Sequence, residues 1–306
     1  MKRLAKQKML RSMSFFANLL LGSVVVAAAC HAAADTPCNR IISLAPSVTE
    51  VVYELGLGSQ LVGRTRFCRF PEQAGSVPEV GGFFDLSVEA IVSRKPTHII
   101  ALQESSDVAQ NAARFGGEVL VVDHRSVVGI KESLRAIAAK CGVVERASQK
   151  LTEYADRERA VALRVGGQAQ PRTLVVVGRA QEGSQTSALY VSGSDGFYTE
   201  VLALAGARNA NESRTVPVPL LSPEGLLQLK PEAIVEVVNV DDAGSPRDAR
   251  QLWVQFKSLP AVNRGAVFLV DEDYASIPGP RYISLVEKLA ALLHPQPSGV
   301  APEVKS

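Results

Sequence analysis

Histidines, loop aromatics and loop arginines are the side chains of this 306-residue sequence whose spacing bears on chemistry. The histidines are scattered. His31 falls near the leader region, His98 opens an apolar run, His294 closes the last amphipathic one, and only His124 stands at the carboxyl end of a predicted strand. No HExxH pair, nucleophile elbow, Walker loop or dinucleotide fingerprint occurs, so no catalytic residue is assigned and an enzyme is not expected. A transition-metal site needs several His and carboxylate ligands converging, so no metal is expected either. Gly193-Ser194-Asp195-Gly196 offers backbone N–H groups to an anion but reads first as a tight turn. Phe67, Phe70, Phe83, Phe84, Tyr190 and Tyr274, by contrast, fall in predicted loops rather than in core-forming runs. Rings placed there suit the non-covalent capture of a sizeable flat or apolar molecule, or else pack beneath their own loops. Arg66, Arg69, Arg125 and Arg281, in the same loops, offer planar donors to an anionic one.

The elements that must position these loops alternate. Predicted strands over 40–44, 61–66, 97–102 and 118–122 interleave with helices over 47–57, 87–94, 108–115 and 127–140. A second run carries strands over 173–177, 233–237 and 267–270 with helices over 197–205, 223–229, 246–256 and 280–293. Such alternation predicts an α/β fold of two parallel-sheet lobes. Between them, residues 143–165 contain neither Pro nor Gly and are amphipathic, which predicts a single connecting helix of about 35 Å. The expected division is therefore an N-terminal lobe over 35–142, a connecting helix over 143–168 and a C-terminal lobe over 169–306. Ligands of open parallel sheets lie beyond the carboxyl ends of the strands, which places a cleft between the lobes where the aromatic loops fall.

The halves also resemble each other. LSVEAIVSRKPTHII from Leu86 lies over LSPEGLLQLKPEAIV from Leu221, and TEVVYELG from Thr49 lies over TEVLALAG from Thr199, as an internal duplication would leave them. In the first pair Ser87 and Ser222 stand where they can cap a helix, and Glu89 and Glu224 lie in its first turn, where an acid is favoured. Capping alone accounts for the serines and part of the preference for the acids.

The first 29 residues run from Lys2, Arg3, Lys6, Lys8 and Arg11 through an apolar stretch ending near Val26 to Ala27-Ala28-Ala29, the order of an export signal. Their removal turns the formal charge from +2 to negative, and the remaining basic residues are dispersed, so nucleic acid is not an expected partner. Cys30 follows Ala29 where a lipoprotein carries its acylated cysteine; cleavage after Ala34, giving a signal peptide over 1–34, is the equal alternative. Cys38 precedes the first strand and Cys141 ends a helix running back from the binding edge. Both then lie at the bottom of the first lobe, and a disulfide between them is expected in an exported chain. Cys68, at the cleft end of the second strand, is left as a small buried residue or a free thiol near the ligand.

RIISLAPSVTEVVYELGLGSQLVGRTRFCRFPEQ, VGGFFDLSVEAIVSRKPTHIIAL, YVSGSDGFYTEVLALAGARN, PLLSPEGLLQLKPEAIV and IPGPRYISLVEKLAALLHP together resemble the cobalamin and ferric-siderophore periplasmic binding proteins, whose lobes are joined by one long helix. The resemblance covers nearly the whole chain after the leader. It implies the extracytoplasmic solute-binding component of an ABC importer, a monomer that meets the membrane only through a permease or a lipid anchor. It implies no cofactor, the cargo being cobalamin or a ferric chelate. Glu89 and Glu224 match the acids that dock on basic permease residues in that family. Phe83, Tyr190 and Phe67 or Phe70 match cleft aromatics of the cobalamin binders, while Leu102 and Val218 stand where those proteins can carry Trp. A corrinoid is the first expectation and a ferric siderophore or haem the second; a two-lobed enzyme is the alternative from another class.

Overall fold

The computed structural model describes residues 37–83, 85–105, 114–182, 185–194, 196–213, 216–238 and 253–295. The leader with Cys30 and His31, the site candidate Phe84, Asp195 of the glycine-flanked turn, and the helical stretches expected over 108–113 and 246–252 lie outside the described residues.

In the first lobe β1 (Ile41–Ser43), β2 (Leu61–Arg64), β3 (His98–Leu102) and β4 (Glu118–Val122) form one parallel sheet in the order β2-β1-β3-β4. The inner strand β1 is buried throughout, as a strand covered on both faces must be. Its helices start and stop on local chemistry. Proline opens α1 (Pro46–Glu54), where its missing N–H costs nothing. Ser87 Oγ accepts from the Ala90 N–H at the start of α2 (Val88–Ser93), and Ser126 Oγ from the Gly129 N–H at the start of α3 (Val127–Cys141). Gly142, at φ +71°, ends α3 in the left-handed conformation that glycine adopts freely. Cys38 and Cys141 are joined in a disulfide, which ties the entry to β1 to the end of α3.

The connecting helix α4 (Val144–Val165) buries Ala147, Tyr154 and Val161, a stripe seven residues apart that keeps one face inward over its whole length. Arg146 Nη1 donates to the carbonyls of Leu55 and Gly56, which lack partners where α1 ends. One buried apolar cluster runs from Cys38 and Val48 through Tyr154 to Tyr282 and Leu289, so the lobes share a continuous core.

The second lobe departs from the expected all-parallel sheet. Strands β5 (Arg172–Glu182), β9 (Ala233–Val237) and β10 (Val267–Val270) are parallel, and the two-residue β7 (Arg208–Asn209) also pairs parallel with β5. However, β5 runs well beyond the expected 173–177 and pairs antiparallel with β6 (Gln185–Val191), which pairs antiparallel with β8 (Leu220–Leu221). The sheet order is β10-β9-β5-β6-β8. Residues 178–187 are too polar to show a buried-strand run, and so the hairpin is not visible as one in the sequence. Tyr190 therefore stands on a strand and not in a loop. Helices α5 (Phe197–Leu204), α6 (Pro223–Leu229), α7 (Pro260–Asn263) and α8 (Tyr282–Leu293) complete this lobe.

Replacing both Cys38 and Cys141 with serine removes a cross-link spanning 103 residues. Loop-closure entropy puts the expected loss of stability at about 4 kcal/mol. A lower urea midpoint in oxidising buffer, with no difference once the parent protein is reduced, is the expected result.

Candidate functional site

The loop after β2 is held from below by a buried arginine. Arg64 donates through Nε to the Ala74 carbonyl at 2.7 Å, through Nη1 to that of Thr65 at 2.9 Å and through Nη2 to that of Gly75 at 3.0 Å. These bonds satisfy carbonyls that a loop otherwise leaves to water. They also fix the chain so that Phe67 is 47% and Phe70 43% exposed. Arg66 makes a two-pronged ion pair with Asp85, at 3.0 and 2.6 Å, and so fastens this loop to the one containing Phe83, which is half-buried. Cys68 is buried beside Thr65, whose hydroxyl lies 3.1 Å from its Sγ; burial pushes the thiol above its ordinary pKa. It is a small buried residue with no reactive character.

On the second lobe, Tyr190 of β6 stands opposite Leu220 of β8. Directly paired residues of antiparallel strands share a face. Tyr190 is 43% and Leu220 56% exposed, and Val216 and Val218 beside them are also exposed, so this lobe presents a wall of apolar side chains. Gly178 pairs with Tyr190 from the other side, and a Cβ added there would lie 3.5 Å from the ring, so the ring covers the glycine.

The lobes meet around Arg281. Its Nε and Nη2 donate to the two carboxylate oxygens of Glu50 at 3.0 and 2.6 Å, and its Nη1 and Nη2 to those of Asp273 at 2.6 and 3.0 Å. Glu50 belongs to α1 of the first lobe and is 2% exposed; Asp273 and Arg281 belong to the second. The guanidinium carbon lies 3.9 Å from the Phe70 ring centroid and 5.6 Å from that of Tyr274. Burial works against the charge of Arg281, yet its hydrogen bonds to Glu50 and Asp273 hold its pKa above the ordinary value. Those bonds in turn hold the Asp273 carboxyl below the usual range. Burial pushes the Glu50 carboxyl up to about 7, against the pull of Arg281.

A second buried cluster lies alongside. His124 Nδ1 is 2.8 Å from Ser47 Oγ and its Nε2 2.7 Å from Ser133 Oγ. Ser133 donates its own proton to the Ile130 carbonyl, so it accepts from Nε2–H, and Nδ1 is left to accept from Ser47. The Pro278 carbonyl faces the ring from the second lobe, and a Cβ on Gly279 would come within 2.9 Å of the Ser47 Cβ. Although Ser47 and His124 are at hydrogen-bond distance, both are buried and the second ring nitrogen meets a serine instead of a carboxylate. This is junction packing, without the exposed, oriented base that nucleophilic catalysis requires. Glu200 of α5 completes the junction from the other lobe, accepting from the Val127 and Val128 N–H groups at 2.8 and 3.3 Å, where α3 begins.

Of the residues singled out in the sequence, the structure thus gathers Phe70, Tyr274 and Arg281 into one cluster, leaves Phe67 and Phe83 on the first wall and puts Tyr190 on the second. Arg66 and Arg281 are each engaged with carboxylates, as is Arg125, whose Nη2 lies 2.6 Å from Asp123 Oδ2. Glu50 was not foreseen. The available signal was an acid flanked by Val48, Val51 and Val52 in a helix with a buried face, at the position matched by Glu200 in the repeat.

The family described as "Periplasmic binding protein" matches residues 41–274. A vitamin B12-binding protein of Pectobacterium carotovorum is 27% identical over 266 residues, covering 86% of this chain and 91% of the relative. An uncharacterized ABC transporter substrate-binding lipoprotein of Bacillus subtilis is 29% identical over 267 residues, covering 84% and 80%. Among solved structures, a periplasmic vitamin B12 binding protein of Vibrio cholerae superposes with a TM-score of 0.70 at 23% identity, over 84% of this chain and 97% of that one. A periplasmic heme binding protein of Pseudomonas aeruginosa superposes with a TM-score of 0.71 at 24% identity, over 85% and 94%. The shared architecture is two α/β lobes joined by one long helix.

Two substitutions test the junction. Arg281→Gln leaves Glu50 buried without its counter-charge and should cost about 3 kcal/mol in chemical denaturation, with Glu50→Gln in the same chain recovering part of the loss. His124, by burial, falls from 6.5 to about 4, so the unfolded chain takes up the proton first. The stability of the neutral ring is complete above pH 6.5 and is lost as pH falls toward 4, by about 3 kcal/mol in all. Glu50 acts with the opposite sign between pH 4.5 and 7 and offsets much of this, so the imidazole is isolated by comparison with His124→Gln, whose stability relative to the parent should rise by about 3 kcal/mol as pH falls from 6.5 to 4.

Proposed function

The chain belongs to the periplasmic binding protein family, whose members bind solutes and are not enzymes, and from that premise we propose that it captures a corrinoid for an ABC importer. The observation that carries this reading is the character of the two walls. They are rich in exposed apolar side chains, with Phe67 and Phe70 on one lobe and Tyr190, Val218 and Leu220 on the other. The arginines Arg66, Arg125 and Arg281 are already engaged by Asp85, Asp123 and the Glu50–Asp273 pair. A corrin is broad and flat, with neutral amide arms, and asks for aromatic area more than for counter-charge. A ferric siderophore or haem, the second reading, brings carboxylates or other anionic oxygens that these paired arginines would have to leave their partners to meet. The vitamin B12-binding relatives across several genera support the same choice.

On this reading the protein works on the extracytoplasmic side, carried there by its leader, with Cys30 as the site of any lipid anchor. The shared core and the continuous helix α4 limit closure to small movements, so the cleft is largely preformed. Delivery follows by docking on a membrane permease through Glu89 and Glu224, one exposed acid on each lobe, and is weakened by salt.

Titration of the purified protein with cyanocobalamin, a ferric hydroxamate, a ferric catecholate and haem, by calorimetry and visible absorbance, tests the cargo. One-to-one binding of cyanocobalamin is expected, weakened about tenfold or more by Tyr190→Ala with no change in melting temperature. Binding of haem or a ferric chelate without cyanocobalamin overturns the corrinoid reading.

A further inference from the structure

The two repeated helices α2 and α6 are alike in more than sequence. From Leu86 to Ile99 and from Leu221 to Ile234 the chain is exposed, half-buried or buried in the same order, residue for residue. In each copy a serine caps the first turn, Ser87 Oγ accepting from Ala90 at 3.1 Å and Ser222 Oγ from Gly225 at 3.2 Å. In each, one side chain anchors the helix, Ile91 or Leu226, both fully buried. In each, the turn closes on a lysine of positive φ, Lys95 at 47° and Lys230 at 45°, followed by a buried proline. These are the only positive-φ residues other than glycine among the described residues, and either would be relieved by glycine. Each helix also leads into the same place in its sheet. β3 lies between β1 and β4, as β9 lies between β5 and β10.

Within that shared frame, one pair of apolar side chains is left largely to solvent. Val92 and Leu227 are 44% and 41% exposed, and each lies three residues after its acid, Glu89 or Glu224. Residues three apart are neighbours on a helix surface. Neither acid forms an ion pair among the described residues, so each is open to a basic group from outside. Resting on the importer reading above, we propose that Val92 and Leu227 are the apolar half of the permease-docking surface, one acid-plus-apolar patch on each lobe. The partner that fits is a membrane permease of twofold symmetry, presenting in each half a basic side chain beside an apolar one. The acid steers and sets register, and the apolar contact supplies binding that salt does not screen.

Right-side-out membrane vesicles from the parent organism lacking this protein, loaded with ATP and supplied with the purified protein and radiolabelled cyanocobalamin or haem, give the protein concentration for half-maximal uptake. Val92→Gln with Leu227→Gln should raise that concentration about tenfold at low and high salt alike. Glu89→Gln with Glu224→Gln should raise it at low salt and remove the salt dependence. Ligand affinity and melting temperature should be unchanged in both. An unaltered half-maximal concentration in the Val92/Leu227 variant overturns the proposal and leaves the importer reading standing, as does a fall in its ligand affinity or melting temperature. With the label moved to whichever compound the titration above shows bound, no uptake with the unsubstituted protein overturns the importer reading and the proposal with it.

Discussion

The ion pair between Glu50 and Arg281 sits where the two lobes meet and water is largely excluded. A charge in such a place is tolerated only with its partner in good geometry, because desolvation is not recovered by a loose contact. The pair is two-pronged, and Asp273 takes the remaining face of the guanidinium. The lobes therefore have one well-defined way to meet at this point. Because the Phe70 ring lies against the same guanidinium, the setting of the junction is also the setting of one aromatic on the candidate ligand wall. Binding surface and lobe geometry are joined through a single side chain.

Glu200 makes the arrangement reciprocal. It reaches from the second lobe to the first N–H groups of α3, where a carboxylate meets both unsatisfied donors and the positive end of the helix. Glu50 and Glu200 occupy matching places in the repeated Thr-Glu-Val segment. Each copy thus contributes an acid to the other lobe, one answered by an arginine and one by backbone. With the shared core and the connecting helix, these contacts describe a junction that resists hinge opening, and shape selection then falls to the walls themselves.

Much of this was legible in the sequence because it rests on local rules. Alternating apolar runs gave the two lobes, the absence of Pro and Gly over 143–165 gave the connecting helix, and Ser87 and Ser222 mark helix starts that the structure shows capped. The pairing of Cys38 with Cys141 followed from which end of the sheet each must occupy. What escaped depends on contacts between distant segments. The β5–β6 hairpin has a polar stretch that owes its order to cross-strand pairing, so no run of apolar residues announced it. Glu50 looks like any helical glutamate until Arg281, 231 residues later, is brought against it. Arg281 in turn looked like a ligand-facing cation, and its burial and two carboxylate partners assign it to the junction.

The duplicated acids point in two directions, and this bears on how one ancestral unit serves both structure and delivery. Glu50 lies in the helix after β1 and Glu200 in the helix after the β5–β6 hairpin, and each is turned toward the other lobe, where a charge must find a partner in its own chain. Glu89 and Glu224 lie in short helices, on the side turned to solvent. An inward acid is held to its place by the cost of leaving it unpaired. No such cost acts on an outward acid or on the apolar residue beside it. Duplication accounts for their recurrence and the first helical turn favours the acids, but neither explains why each copy keeps an exposed apolar residue beside its acid. A partner that meets both lobes in the same way supplies a physical reason for it, and on the reading proposed above that partner is the permease.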